Sequence, residues 1–519
     1  MDHPPEHDGQ TLNRSPLEVR LPNGRVRGIR ARNMLIWRGI PYAAAPVGPL
    51  RFRAPQPAPA WLGTLDASRY GAVAPQDYRK QFKGVDRRTL MSEDCLSVNV
   101  QRPADTDATG LPVMVFIHGG GYCTGSSQEF AGQGDAFVRT GGVVYVSFNY
   151  RLGALGYLDF TRFATPDRPV DSNLGLRDQV AALRWVQENI EAFGGDPGNV
   201  TVLGESAGGN AVITLLATPA ASGLITRAIA QSPPSNAVYS RQLAARWGAE
   251  FVDALRLWQP AGTIDRSPIE LLSTATTAEL VRAALVLQLR TPDADPGTFC
   301  LAPVVDGDFL PERPLEAFRR GHAHPVPLII GTNDREGSIF RGKVDILPRS
   351  APRIRALFAD APRESHHLMR SVYAALPPKR SGTDFGGDFA FWFPTVQVAE
   401  LHSRYAPVHL YRFDLAPRLL RMVGLDATHG VELLALYDRR DDLRVRTMTA
   451  LGGRGQFRDT GERMRTHWLR FATSGYTAAG WPAYTERDRL TLIFDEVDRV
   501  ESDPRSERRL AWLQFLPDL

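Results

Sequence analysis

Lysine is nearly absent from this chain: only Lys80, Lys83, Lys343 and Lys379 occur in 519 residues, so almost all of the 61 basic residues are arginines. With its load of Ala and Pro, that bias points to a high-GC bacterial genome rather than to a function. Basic and acidic residues number 61 and 57, interspersed to a net charge of +4. No basic stripe marks a nucleic-acid surface, so no such partner is expected. Cysteine is scarce as well. Cys95, Cys123 and Cys300 are an odd and sparse set, which fits a reducing compartment better than a disulfide framework and predicts a cytoplasmic protein. No window reaches the ~18 apolar residues of a membrane span. The polar stretch Met1–Arg32 holds no signal-peptide core. Gly/Ser linkers, low-complexity tracts and internal repeats are also missing.

What is present is enough apolar sequence, 43%, to bury a large core. The chain reads as a tail over 1–15, with little to bury, and one domain over 16–519. Apolar runs at Val113–Ile117, Val143–Phe148 and Val200–Leu203 predict strands buried on both faces. Further strands are expected at Ile229–Ala230, Leu328–Ile330, His409–Phe413 and Leu490–Phe494. Between them, Leu176, Val180, Leu183, Val186 and Ile190 form one helical stripe. Asp171 or Ser172 is expected to cap that helix, and Gly194-Gly195 to stop it. Strand, helix, strand implies parallel pairing and an α/β sheet covered on both faces. Residues 341–400 break the rhythm. They are helical and rich in aromatics (Phe385, Phe389, Phe391, Trp392, Phe393), which suits both the core of a small subdomain and a cap over an apolar pocket.

Chemistry is carried by Gly204-Glu205-Ser206-Ala207-Gly208, a G-x-S-x-G sequence between a predicted strand and a predicted helix. A serine on such a turn presents its hydroxyl at the top of a sheet, and the flanking glycines avoid collisions with neighbouring elements. The strand Val113–Ile117 runs into His118-Gly119-Gly120-Gly121, whose unshielded backbone N–H groups suit an oxyanion hole. Gly120, Gly121 and Ala207 are the expected donors.

These motifs, with Phe193-Gly194-Gly195, Glu93-Asp94-Cys95-Leu96-Ser97-Val98-Asn99-Val100 and the block Gly39-Ile40-Pro41-Tyr42-Ala43 to Phe52, resemble the type-B carboxylesterases over about residues 18–515. The resemblance implies an α/β-hydrolase fold and a catalytic order of serine, acid, histidine. It implies Ser206 as nucleophile, Glu336 as acid, with Asp334 as its rival, and His429 as base. It also implies an acyl-enzyme route for carboxylic esters, in which His429 takes the Ser206 proton and Glu336 fixes the imidazole tautomer. No cofactor and no metal are implied. His118 would orient the glycine loop. His322, His324, His366, His367 and His402 read as surface residues, and His409 and His467 as structural.

Departures narrow the substrate. No cysteine precedes Cys95, so the disulfide found in secreted relatives cannot form. No Trp lies between Gly71 and Cys95, where choline-binding relatives place their indole. Small to medium uncharged esters are therefore expected, turned over by a monomer or homodimer. A same-triad amidase, thioesterase or lactonase, or a non-catalytic binding member, are the alternatives. Glu205 tunes His429 or is simply a buried polar group. Pro233-Pro234 stand where relatives have Gly after Gln-Ser, a change without a functional account in sequence.

Overall fold

The computed structural model describes residues 17–77, 85–86, 88–106, 108–257, 266–340, 345–374 and 378–517. The expected tail over 1–15 lies outside these residues. Among the described residues, eleven strands form the central sheet. In chain order they are β1 (Ile29–Ala31), β2 (Met34–Pro41), β3 (Ser97–Pro103), β4 (Leu111–Ile117), β5 (Val144–Phe148), β6 (Gly195–Glu205), β7 (Arg227–Gln231), β8 (Leu328–Asn333), β9 (Val408–Phe413), β10 (Leu490–Phe494) and β11 (Arg499–Ser502). Across the sheet they run β11-β10-β9-β8-β7-β6-β4-β5-β3-β2-β1. From β10 to β5 every neighbouring pair is parallel, and the pairs toward both edges are antiparallel. This is the α/β-hydrolase architecture expected from the sequence.

Strand polarity explains the buried runs. Val113, Val115 and Ile117 join one hydrophobic core with Val202 and Ala230, while Met114 and Phe116 join the opposite core with Leu203 and Ile229. Successive side chains point to opposite faces, so a strand covered on both faces must be apolar at every position. The first core is closed by the helices Leu174–Asn189 and Ala207–Leu216, the second by Arg454–Ser474. No helix of the described residues is long and apolar enough to cross a membrane.

Two local expectations need correction. The helix Leu174–Asn189 carries no side-chain cap, and its N-cap position is Asn173, at φ 53°. Asp171 instead accepts from Arg53 and from the Ala54 N–H, and the Ser172 hydroxyl donates to Asp306. Long-range partners outcompete the local cap. Gly194, at φ 82°, ends the following turn as expected. His402 is buried rather than at the surface, with its Nε2 2.8 Å from the Val326 carbonyl and its ring edge-on to Phe318.

The helices Ala351–Asp360, His366–Ala374 and Pro378–Gly387 form one aromatic core with the C-terminal helix Ser506–Phe515. Phe385, Phe389 and Phe393 pack around Trp512. One turn, Asp388–Trp392, is a π-helix. Such turns displace a side chain out of the regular helical register. Here the turn carries Phe391.

Candidate active site

Strand β6 ends at Glu205 and a helix begins at Ala207, leaving Ser206 at φ 59°, ψ −124°. A non-glycine residue there is strained, and the surroundings must hold it. The Ser206 N–H donates to the Gln231 carbonyl (2.9 Å), and the Ser206 carbonyl accepts from Asn210 N–H (2.9 Å). The flanking glycines are sterically required. A Cβ on Gly208 would lie 2.1 Å from the Ile117 oxygen, and one on Gly204 2.4 Å from the Gly208 oxygen. Both obstacles are backbone and cannot rotate away. Gly208→Ala is therefore expected to cost about 2–3 kcal/mol by overpacking. A urea midpoint equal to wild type would contradict that crowding.

The sheet order sets what faces the serine. β5 follows β4 on one side, and β6 returns to pair with β4 on the other, so a crevice opens beyond the carboxyl ends of β4 and β6. The loop after β4 enters that crevice, with Gly120 at φ 103° and Gly121 at φ 60°. It lies against the elbow, for a Cβ on Gly119 would sit 3.1 Å from Ser206 Cβ. Among the described residues, no protein acceptor takes the N–H of Gly120, Gly121 or Ala207. His118 anchors the loop. Its ring stacks on Tyr150 at 4.4 Å, and burial lowers its pKa to about 4, so it stays neutral. Tyr122 OH donates to Asn210 Oδ1 (2.6 Å), and Asn210 Nδ2 donates to the Pro234 carbonyl (2.8 Å).

His429 and Glu336 reach the same place from β9 and β8. His429 Nδ1 lies 2.5 Å from Glu336 Oε2. The other carboxylate oxygen, Oε1, accepts from Ser232 Oγ (2.6 Å) and from the Asn333 N–H (2.5 Å). Asp334, the rival acid, points away into ion pairs with Arg505 and, at 3.9 Å, Arg412. Burial alone would raise its carboxyl, but those two arginines hold it below the usual range. His429 Nε2 makes no hydrogen bond with the described residues, yet stands 3.2 Å from Glu205 Oε1. Burial opposes the imidazolium, but Glu205 and Glu336 outweigh it and raise His429 to about 9. Burial also pushes Glu205 well above the ordinary carboxylate range, against the pull of His429.

Ser206, Ala207, Gly120, Gly121, Glu205 and His429 all border one cavity of about 920 Å³. Glu336 sits behind the imidazole and is buried. Leu420, Leu434, Met448, Phe299, Phe340 and Phe391 line the cavity. The Phe391 ring packs on His429 at 4.5 Å and Phe340 at 5.2 Å. Of the 341–400 aromatics, Phe391 faces the cavity, while Phe385 and Phe393 are core.

Sequence reasoning missed Ser232, Asn333, Glu432 and Phe340, and offered Phe391 only as one of five aromatics suited to a core or a cap. Glu432 is fully buried, accepts from Asn333 Nδ2 (2.5 Å) and Gln231 Nε2 (3.2 Å), and is raised to about 8, first by burial and then by Glu205 and Glu336. Ser232 could have been found: it follows β7, next to the acid-bearing β8. Pro233 and Pro234 gain a structural account, since they stiffen the chain between Ser232, at φ 47°, and the carbonyl that holds Asn210.

Comparison with known proteins points the same way. The profile of the carboxylesterase family matches residues 15–512. A para-nitrobenzyl esterase of Bacillus subtilis is 37% identical over 493 residues, covering 94% of this chain and 96% of the relative. Human carboxylesterase 3 is 31% identical, covering 96% of this chain and 90% of the relative. Among solved structures, a thermophilic PNB esterase superposes with a TM-score of 0.85 at 36% identity, over 96% of this chain and all 100% of that one.

Proposed function

The chain belongs to the carboxylesterase family and is a serine carboxylic-ester hydrolase, and from that premise we propose that Ser206, His429 and Glu336 carry its reaction. The observation that carries the assignment is the 2.5 Å contact of Glu336 with His429 Nδ1, behind an Nε2 that opens on the cavity bordered by Ser206. His429 Nε2 takes the hydroxyl proton as Ser206 Oγ attacks the ester carbonyl. Its unmade bond to Ser206 is one that commonly tightens only with substrate present. The imidazolium is stabilised by Glu336 and by Glu205. The N–H groups of Gly120, Gly121 and Ala207 receive the oxyanion, each donor worth roughly 3–4 kcal/mol. His429 then protonates the leaving alcohol, and water activated by the same imidazole releases the acid. No cofactor enters.

The apolar lining supports uncharged esters, and the cavity has room for an aromatic or medium-length group on either side of the carbonyl. The 341–400 insertion acts as a cap, with Ile346 and Phe391 at the cavity wall. A bacterial origin and a cytoplasmic location, read from the composition and three free cysteines, belong to the same proposal, as does a monomeric or homodimeric state. p-Nitrophenyl esters of increasing acyl length test the substrate reading. Turnover is expected to rise from acetate to medium chains, and a preference for charged esters would sink it.

Glu205 makes a pH-dependent prediction. His429 must be neutral to act as base, so kcat/KM rises with pH as the imidazolium loses its proton. Glu205→Gln removes a carboxylate that favours the imidazolium, which lowers the His429 pKa. The acid limb of kcat/KM is expected to move down by roughly one to three pH units. A limb that stays in place or moves up would exclude this role for Glu205.

A further inference from the structure

The mouth of the cavity is rimmed by apolar side chains that face solvent. Ile339, Val423 and Leu443 line the cavity and are nonetheless 43%, 49% and 74% exposed. Met422, beside Val423, is 68% exposed. Single exposed apolar residues are ordinary, but a group around one opening marks an interaction site.

The same rim is basic. The short helix Arg418–Met422 turns Leu419 and Leu420 to the cavity and leaves Arg418, Arg421 and Met422 exposed. Arg446, on the adjoining helix Leu443–Met448, is exposed too. None of these three arginines forms an ion pair or side-chain hydrogen bond with the described residues. The neighbouring acids are mostly engaged: Asp426 with Arg335, Asp438 with Arg440 and Asp442 with Arg444. Asp441 is the exposed exception.

We propose that this rim docks on an anionic phospholipid surface, with Met422, Val423 and Leu443 at the acyl boundary and Arg418, Arg421 and Arg446 on the head groups. Apolar side chains flanked by unpaired cations are the pattern of interfacial attachment without a span. A second copy of the chain fits less well. A two-fold contact through this patch would bring like-charged arginines together. Docking would open the cavity directly onto the bilayer, so esters dissolved in lipid would enter without crossing water. That last step rests on the esterase assignment of this cavity, and the docking itself does not.

Co-sedimentation with vesicles tests it, using wild type and Ser206→Ala in parallel so that binding is read independently of catalysis. Both are expected to bind vesicles of equal parts phosphatidylglycerol and phosphatidylcholine at low salt, to release at high salt, and to ignore pure phosphatidylcholine. Each arginine removed is expected to lower the partition coefficient roughly fivefold. Arg418→Glu/Arg421→Glu would then lose well over tenfold, and Met422→Asp about tenfold. None of these three positions lines the cavity, so p-nitrophenyl acetate turnover should stay at the wild-type level and report intact folding. Absence of binding to the anionic vesicles overturns the proposal, as does equal binding by wild type and variants. So does a concentration-dependent dimer in light scattering that Met422→Asp dissolves, which would assign the rim to a second copy.

Discussion

Replacing Ser206 with alanine is expected to lower kcat for p-nitrophenyl esters on the order of 10⁶-fold while leaving the fold intact. The reason is chemical. The acyl-enzyme needs an oxygen nucleophile at the elbow, and no other hydroxyl is placed there by the turn between β6 and its helix. The backbone bonds that hold the elbow, Ser206 N–H to Gln231 and Asn210 N–H to the Ser206 carbonyl, do not involve the side chain. Alanine therefore keeps the geometry and loses the reaction. A residual rate above that of water is expected from the N–H groups of Gly120, Gly121 and Ala207, which still receive an oxyanion. Stopped-flow traces should lose the burst of acyl-enzyme formation. A folded Ser206→Ala variant with near wild-type turnover would move the nucleophile elsewhere.

Glu336→Gln is expected to lower kcat about 10⁴-fold, with little change in stability. The hydrogen bonds around the carboxylate dictate how the amide must sit. Ser232 Oγ and the Asn333 N–H both donate to Oε1, so the amide oxygen is required on that side. The amide NH₂ then faces His429 Nδ1, 2.5 Å from the carboxylate oxygen it replaces. Nδ1 must become an acceptor, which puts the imidazole proton on Nε2. In that tautomer Nε2 cannot take the Ser206 proton. Asp334→Asn is the contrast. It weakens the ion pairs with Arg505 and Arg412 and should cost about 2 kcal/mol of stability. Turnover should change only a few-fold. If Asp334→Asn were the dead variant and Glu336→Gln the active one, the acid would have been misassigned. Steady-state kinetics and a urea titration on both variants decide it.

Much of this was legible in the chain. The apolar runs gave the buried strands because a strand covered on both faces cannot alternate. The glycines around Ser206 read as steric needs, and the Ile117 and Gly208 oxygens are the obstacles they avoid. The order of Ser206, Glu336 and His429 followed from resemblance to a family. What failed were inferences that assumed local partners. Asp171 and Ser172 were expected to cap the helix they precede and instead bond Arg53 and Asp306. His402 was expected at the surface and is buried between the Val326 carbonyl and Phe318.

The chemistry-bearing detail came only with the tertiary structure. Ser232 reaches Glu336 across 104 residues of sequence, and His429 reaches it across 93. Glu205, one residue from the nucleophile, acquires its meaning from His429, more than two hundred residues on. The size of the cavity, the turn that carries Phe391 and the basic apolar rim have no local signature either. The sequence by itself determined the strands, the strained elbow and the residue types of the site, because those depend on neighbours a few positions away. The tertiary structure alone decided which carboxylates meet the imidazole and what surrounds the cavity. Those contacts are set by the lateral order β4-β6-β7-β8-β9, and strand pairing across a sheet joins residues that no short stretch of chain places together.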